Sequence, residues 1–387
     1  MSVGRRIVIF VPAIHAFGGV ERLVLDLSRF LHERKLSHTV LCLNQSIALA
    51  ALADWPINIH ALEPPRNPIA EGWALGQYFR HPANADIQTP LFFDLRGAFY
   101  AGLFRGPDFH LHLTDPPSLL PKDVSKYAFS IRARFLQTSA VDLGWRPALR
   151  GETVHWINKR GVRRARSVIA MTHTIAHEIE SLYSIPATVI LPGVQRPQQG
   201  ALVVKPESSQ FHFLSVSRLE ASKRIDWMLQ SLAEMERSDK PLSAELEWVL
   251  DVVGDGPDAA VLRELSRALG IGERVKFHGR VSDGLLEILF AQASVFLMPA
   301  AQGYGLPALE SLARGTPVIL HRDSGVSEIL NQSPWVEIIA QGPADLTQAI
   351  RRMVMNIKSG ALDRHSKPEV PMAADWAQKI AVQCGWS

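Results

Sequence analysis

The chain has 387 residues, of which 47% are hydrophobic and 20% charged, and its formal net charge is +3. A chain of this length is longer than one that folds around a single hydrophobic core, so two domains are favoured. The composition excludes a largely disordered chain. The two cysteines, Cys42 and Cys384, cannot form a disulfide framework, which is typical of a reducing compartment. No stretch approaches the ~20 uncharged apolar residues that cross a bilayer.

The first half of the chain alternates apolar runs of strand length with amphipathic stretches. The predicted buried strands are residues 6–11, 37–43, 90–94, 109–113, 168–171 and 188–191. Residues 20–34 carry apolar side chains at helical spacing and predict a helix. Basic residues precede the first apolar run, but Pro12 and His15 interrupt it, so we expect a strand there rather than a signal peptide.

A second alternating series follows a segment rich in Gln, Pro, Ser and Gly, which we interpret as a linker. Its predicted strands are residues 211–217, 247–253, 275–277, 294–298 and 317–320. The predicted division is a first domain at 1–192, a linker at 193–209, a second domain at 210–370 and a C-terminal helix within 371–387. The expected fold class is α/β, with two doubly wound domains facing a cleft.

Four short motifs follow successive strands of the second series, at residues 217–224, 253–257, 277–279 and 299–310. In the last motif, Gly303 and Gly305 separate a predicted strand from a helix that begins near Pro307. A strand, a glycine turn and a helix N-terminus together direct backbone N–H groups towards an anionic ligand. The ordered set resembles retaining glycosyltransferases of the GT-B fold, family 4 (glycosyl transferases group 1), whose domains are Rossmann-like.

This resemblance implies roles for individual residues. Arg218 and Lys223 match the cations that bind the donor diphosphate, where positive charge stabilises the leaving group. Glu310 matches the acid that binds the ribose hydroxyls, and Gln302 stands where the family usually has another acid. Arg224 is expected to face solvent. The other donor-binding positions implied are Gly18, Gly19, Gly254, Val281, Gly303, Tyr304, Gly305 and Leu306.

Residues 109–117 resemble the loop that carries the family's active-site histidine. His110 and His112 fall on one face of a predicted strand, and His112 is nearer the loop. We therefore expect His112 to contact the donor sugar or the acceptor, with a structural histidine as the alternative. The catalytic set implied is His112, Arg218, Lys223 and Gln302. The C-terminal residues 373–381 resemble the family helix that crosses back to the first domain.

The resemblance implies transfer of a hexose, with retention, from GDP-mannose or a UDP-sugar to a hydroxyl of a glycan or lipid-linked acceptor. The histidine loop favours mannose. We expect no cofactor and no metal, because the sequence contains no Asp-x-Asp motif and no cluster of histidines and cysteines at ligand spacing.

The basic stretch from Lys159 to Arg166 predicts either a solvated helix face or contact with an anionic membrane surface. No aromatic residue interrupts these charges, so nucleic acid is not expected as a partner. The expected location is cytoplasmic, with peripheral attachment to the cytoplasmic membrane through this stretch.

Two other functions stay open. Because Gln302 replaces an acid, the chain could be a non-catalytic nucleotide-sugar-binding protein. Gly254, Gly256 and Ala259 also fit the dinucleotide fingerprint of an NAD-type oxidoreductase. Pro257 in that turn, and the position of the turn after a second strand, argue against the oxidoreductase.

Overall fold

The computed structural model describes residues 5–15, 18–65, 67–117, 145–196, 210–238 and 246–386, with only the backbone at 145–152. The chain forms two compact units. The first comprises Met1–Pro192 together with Ala373–Ser387, and the second comprises Gly193–Met372.

The first unit contains a parallel sheet of seven strands within the described residues, in the order β3-β2-β1-β4-β5-β6-β7. The strands are β1 (Ile7–Ile14), β2 (His38–Gln45), β3 (Ile59–Ala61), β4 (Leu91–Phe93), β5 (Phe109–Leu113), β6 (Ala165–Ala170) and β7 (Thr188–Val189). The helices are α1 (Gly19–Glu33), α2 (Pro68–Arg80), α3 (Asp94–Leu103), α4 (Trp145–Arg164) and α5 (His173–Tyr183). The central strand β1 is apolar and buried along nearly its whole length, as expected for a strand covered on both faces.

The second unit contains a parallel sheet of six strands in its described part, in the order β10-β9-β8-β11-β12-β13. The strands are β8 (Gln210–Val216), β9 (Glu247–Val253), β10 (Val275–Gly279), β11 (Val295–Met298), β12 (Val318–His321) and β13 (Val336–Ile339). The helices are α6 (Ile225–Ser238), α7 (Ala259–Ala268), α8 (Asp283–Gln292), α9 (Leu306–Ala313) and α10 (Pro343–Lys358). Phe213, Leu229, Trp248 and Ile350 belong to its buried core.

The last helix, α11 (Ala373–Cys384), belongs to the first unit although it follows the second in sequence. Trp376 is buried in it. Arg34 donates a hydrogen bond of 2.5 Å from Nη2 to Gln378 Oε1, and Trp386 Nε1 donates to the Thr89 carbonyl at 3.2 Å. The helix therefore completes the first unit by packing against α1.

Each sheet has one point at which the strand order reverses direction. In the first sheet the chain starts at β1, which lies between β2 and β4; in the second it starts at β8, which lies between β9 and β11. Open parallel sheets bind ligands beyond the carboxyl ends of the two strands that flank such a point. The predicted α/β class with two Rossmann-like domains is confirmed. From this topology, ligands are expected at the carboxyl ends of β1, β4, β8 and β11.

Candidate functional site

In the second unit, the structure brings together two of the predicted residues at the strand-order reversal. Strands β8 and β11 pair in parallel, with Phe213 opposite Val295. Lys223 lies in the loop after β8 and Gln302 in the loop after β11, and Lys223 Nζ donates to Gln302 Oε1 at 2.8 Å. A partly buried ammonium group is thus fixed where this fold class binds ligands.

The turn after Gln302 requires glycine for a steric reason. Gly305 has a φ of +123°, and a Cβ atom there would lie 2.7 Å from both Gln302 Nε2 and Met298 Cε. The backbone N–H groups of Gly303 and Gly305 donate no hydrogen bond to the described part of the chain, and no side chain caps α9 at its N-terminus. These N–H groups and the helix N-terminus can therefore bind an anion.

The side chain of Gln302 is held at both ends of its amide. Its Oε1 accepts from Lys223, while Nε2 lies 2.9 Å from Met298 Sδ and 3.3 Å from Ser324 Oγ. The hydroxyl of Ser324 in turn donates to the Tyr304 carbonyl at 2.8 Å, and the Tyr304 side chain is buried. Gln302 therefore connects the turn at Gly305 to the position of the Lys223 ammonium group.

The other predicted residues of this site differ in exposure. The Arg218 side chain is 66% exposed, and its Nε lies 3.5 Å from Glu220 Oε2. Glu310 is partly exposed on α9, one turn after Leu306, which is buried. Val281 is partly exposed between β10 and α8. The roles predicted for these residues stay predictions.

Arg224 was expected to face solvent, and this prediction is wrong. Its side chain is only 19% exposed and its Nη2 lies 2.7 Å from Asp323 Oδ2. Nη1 donates to the Pro299 carbonyl at 3.2 Å, and the guanidinium lies 4.4 Å from the centre of the Trp227 ring. Arg224 thus connects the loops after β8, β11 and β12.

The glycine pattern at residues 254–259 has a structural explanation. Gly254 has a φ of +124°, and a Cβ atom there would lie 1.8 Å from the Ser217 carbonyl oxygen. A Cβ atom at Gly256 would lie 2.2 Å from the Leu219 carbonyl oxygen. Both glycines allow this turn to pack against the loop after β8. The turn follows β9, whereas the strands that flank the reversal are β8 and β11. The packing explains the resemblance to a dinucleotide fingerprint, and the donor contact expected of Gly254 stays a prediction.

In the first unit, the loop after β1 leads directly into α1. Gly18 and Gly19 are exposed, and the Gly18 N–H donates to Glu21 Oε2 at 3.1 Å. Glu21 therefore caps the helix N-terminus, and burial raises the pKa of its carboxyl group. The two glycines lie beside the reversal between β1 and β4, and their contact with the donor stays a prediction.

Sequence reasoning missed Asp94, which follows β4 at this reversal. Its φ of +62° is uncommon for a residue other than glycine, and its carboxylate accepts a hydrogen bond from the Thr114 hydroxyl. The pKa of Asp94 is raised to about 7, mainly by burial; the hydrogen bond from Thr114 lowers it, and the negative charges of Asp115 and Glu21 contribute to the increase. A carboxyl group that titrates near neutral pH at a ligand-binding edge is a candidate functional residue.

His112 lies in the core of the first unit. It is 0% exposed, its ring centre is 4.8 Å from that of Phe93, and it meets the Trp376 ring edge-on at 5.7 Å. Neither ring nitrogen has a hydrogen-bond partner in the described part of the chain, and burial lowers the pKa of His112 to about 3. The contact of His112 with a substrate stays a prediction. Its burial against Trp376 argues against that contact.

The basic stretch is only partly a surface feature. Arg164 Nη1 donates to the Phe104 carbonyl at 2.6 Å and Nη2 donates to the Gly106 carbonyl at 3.0 Å, so Arg164 holds the chain that follows α3. Arg160 and Arg163 are exposed on α4, where Trp156 lies one turn before Arg160 and is 59% exposed. Further basic residues of the sequence, between positions 122 and 144, lie outside the described residues.

Within the described ranges, no group of three or more His, Cys, Asp or Glu side chains could hold a metal ion. The helices seen in the same ranges are all too short or too polar to cross a bilayer.

Comparison with known proteins identifies part of the chain. Residues 203–359 match the family model described as Glycosyl transferases group 1. The second unit contains a glycosyltransferase group 1 domain. A glycogen synthase of Mycobacterium tuberculosis is 24% identical over 216 residues, covering 54% of this chain and 51% of that protein. A D-inositol 3-phosphate glycosyltransferase of Nocardiopsis dassonvillei is 25% identical over 237 residues, which cover 57% of this chain and 54% of that protein. The chain thus spans about half the length of these curated relatives.

Solved structures resemble the chain over nearly its full length. The Anabaena protein HepE, solved with UDP and glucose, superposes with a TM-score of 0.66 at 17% identity and covers 98% of this chain and 95% of its own. The lipopolysaccharide outer core galactosyltransferase WaaB superposes with a TM-score of 0.65 at 16% identity. The superposition covers 98% of this chain and 99% of WaaB. At such identities the likeness shows the fold, which is the predicted GT-B fold.

Proposed function

We propose that this protein is a glycosyltransferase that moves a hexose from a nucleoside diphosphate sugar to a hydroxyl group. One observation carries the proposal: in a group 1 domain, Gln302 holds the Lys223 ammonium group at 2.8 Å beside the open turn at Gly305. The arrangement lies where β8 and β11 diverge, which is where a parallel sheet of this class binds its ligand.

The donor diphosphate would bind to this arrangement. As the glycosidic bond breaks, negative charge grows on the distal phosphate, and cationic or N–H groups that face it stabilise the transition state more than the ground state. Lys223 would supply the cation, and Gly303 and Gly305 would supply backbone N–H groups. The exposed Arg218 side chain would close on the same diphosphate, and Glu310 would accept hydrogen bonds from the ribose hydroxyls.

A UDP-hexose is the donor that we propose. HepE was solved with UDP and glucose, and a pneumococcal O-GlcNAc transferase of similar fold (TM-score 0.63, 11% identity) was solved with UDP and GlcNAc. The preference for GDP-mannose depended on the histidine loop, and His112 lies in the core rather than at a surface. The mannose donor therefore loses its main support.

We propose that the acceptor, a glycan or lipid-linked hydroxyl, binds to the first unit near Asp94. Transfer with retention breaks the bond from the anomeric carbon to the phosphate oxygen and forms a bond to the acceptor oxygen on the same face. The acceptor proton then passes to the departing phosphate. An ionised Asp94 would accept a hydrogen bond from the acceptor hydroxyl and orient it, and its pKa of about 7 allows this at neutral pH.

Gln302 favours an enzyme over a retired binding protein. A glutamate at this position would form an ion pair with Lys223 and offset the charge that the donor phosphate needs. The amide instead positions Lys223 without adding a negative charge beside it. We expect Gln302→Glu to weaken UDP binding roughly 5- to 30-fold, which corresponds to ~1–2 kcal/mol.

The proposal is tested by incubating the protein with UDP-glucose, UDP-galactose, UDP-GlcNAc and GDP-mannose and measuring nucleotide release. We expect release from a UDP-sugar, its loss in Lys223→Ala, and no change in the control Lys276→Ala, an exposed lysine on the edge strand β10. If the wild type releases nucleotide from no donor while Gln302→Glu does, the protein is a binder. Wild-type release that survives Lys223→Ala would also contradict the assignment.

We also propose that the protein is cytoplasmic and attaches peripherally to anionic membrane through Trp156, Arg160 and Arg163. These side chains are exposed along one face of α4, a pattern that suits a membrane interface. Sedimentation with vesicles that contain phosphatidylserine should fall steeply as salt rises. Binding that is independent of salt, or absent, would leave a solvated helix face.

A further inference from the structure

The first unit contains a cavity of about 490 Å³ that none of the roles above uses. It lies between α2 and the strands β1 to β3, and its volume falls within the ~300–1,000 Å³ typical of small-molecule sites. Arg6 and Thr39, at the amino ends of β1 and β2, belong to its lining. The cavity is therefore at the opposite end of these strands from Asp94 and the helix at Gly19.

Aromatic rings form a large part of the lining. Trp73, on α2, is 63% exposed, although it is among the largest apolar side chains of the unit. The rings of His60 and Tyr78 lie 5.4 Å apart in the same cavity. Exposed aromatic rings offer flat apolar faces with polar edges, which suit the apolar C–H faces of sugar rings.

The polar groups of the lining retain hydrogen-bonding capacity. Gln77 and Trp73 lie one turn apart on α2, and neither the Gln77 side-chain amide nor the Trp73 indole N–H makes a hydrogen bond within the described residues. Asn58 donates to Thr39 Oγ1 at 3.0 Å, which leaves its side-chain oxygen available. Neutral amides that can donate and accept match the hydroxyl groups of a saccharide.

The cavity carries little net charge. The guanidinium of Arg6 lies 3.2 Å from Asp86 Oδ1 and donates to Asn84 Oδ1 at 2.6 Å, so its charge is already compensated. No further Lys or Arg belongs to the described lining. This balance disfavours nucleotides and phosphorylated ligands and favours a neutral one.

We propose that this cavity is a binding site for a neutral oligosaccharide, separate from the donor site of the second unit. Trp73 stacks on a sugar ring, and Gln77 and Asn58 bind its hydroxyl groups. The site would hold a glycan chain at a distance from the reacting hydroxyl, but its existence does not depend on the proposed transferase activity.

Calorimetry with the full chain tests the proposal, with maltohexaose, cellohexaose, mannohexaose and chitohexaose as probes. We expect at least one to bind, Trp73→Ala to weaken that binding about tenfold or more, and Gln77→Ala to weaken it less. Trp156→Ala is the matched control, because Trp156 is similarly exposed (59%) in the same unit but lies outside the cavity. Saturating UDP should leave saccharide binding unchanged.

Three results would overturn the proposal. They are no binding of any probe at concentrations of about 1 mM, equal losses of binding in Trp73→Ala and Trp156→Ala, or competition by UDP. If Trp73→Ala instead abolishes sedimentation with neutral phosphatidylcholine vesicles while no saccharide binds, this surface contacts lipid. Trp73→Phe keeps a ring and should retain most of the binding, which separates loss of stacking from loss of folding.

Discussion

Replacing Asp94 by asparagine should stabilise the protein at alkaline pH. Burial holds the pKa of this carboxyl group at about 7, compared with an ordinary value of 3.8. Between these two values the folded state binds more protons at Asp94 than the unfolded state does, so its contribution to stability falls as pH rises through that window. Asparagine has no charge to bury, and its side-chain oxygen can still accept a hydrogen bond from Thr114.

The expected magnitude follows from the difference between the two pKa values. About three pH units at 1.36 kcal/mol each give an upper bound of about 4 kcal/mol, and the partial exposure of Asp94 lowers the expectation to about 2–4 kcal/mol. Asp94→Asn and the wild type should be equally stable near pH 4, and the variant should gain that amount by about pH 8. His112 titrates equally in both proteins, so its contribution cancels in the comparison.

Urea denaturation followed by tryptophan fluorescence, at several pH values from about 4 to 8, measures this difference. Asp54→Asn is the matched control, because the Asp54 side chain is 81% exposed and its ion pair with Arg29 should contribute less than ~1 kcal/mol. A difference between Asp94→Asn and wild type that stays constant across the pH range would refute the reasoning. So would a variant that is less stable than the wild type at about pH 8.

Gly305→Ala should cost about 2–4 kcal/mol and weaken UDP binding, because φ is positive at this position and the new methyl group would clash with the side chains of Gln302, Met298 and Ser324. Gly315→Ala, with a φ of +77° and no atom within 4 Å of the added Cβ, should cost only about 1 kcal/mol; equal losses in urea denaturation would contradict this. His112→Phe should gain stability relative to the wild type as pH falls below 6.5, by up to ~1.4 kcal/mol per pH unit, because the buried imidazole has a pKa of about 3. Thermal denaturation at several pH values measures this, and a constant difference would count against it. Sugar transfer should survive EDTA; loss that magnesium or manganese restores would show a metal requirement.

The buried parallel strands were the most predictable part of the fold. The bounds of β5 (Phe109–Leu113) and β9 (Glu247–Val253) agree with the sequence prediction. All of β5 and all of β9 except its first residue are buried, as expected for strands covered on both faces. The edge strands β3 and β13 were missed. β3 is short and half-exposed, and β13 contains Glu337, a buried acid whose charge is compensated by Arg352 at 2.9 Å. A sequence pattern does not show such a distant partner.

The candidate site was predictable where its residues follow one another along the chain. Lys223, Gln302 and Gly305 belong to loops after predicted strands, and their order carried the family resemblance. Asp94 was missed because its importance depends on β4 lying beside β1 and on a left-handed backbone, neither of which is local in sequence. The alternation of side chains along β5 predicted the face of the strand on which His112 lies. It did not show that Trp376, near the C-terminal end of the sequence, packs on that face.

The position of bound UDP in a crystal structure of the protein tests the central claim most directly. The account predicts diphosphate oxygens within hydrogen-bonding distance of Lys223 Nζ and of the backbone N–H groups of Gly303 and Gly305, with Gln302 still in contact with Lys223. A diphosphate bound at the Gly254–Gly256 turn instead, or a nucleotide outside the second unit, would contradict it.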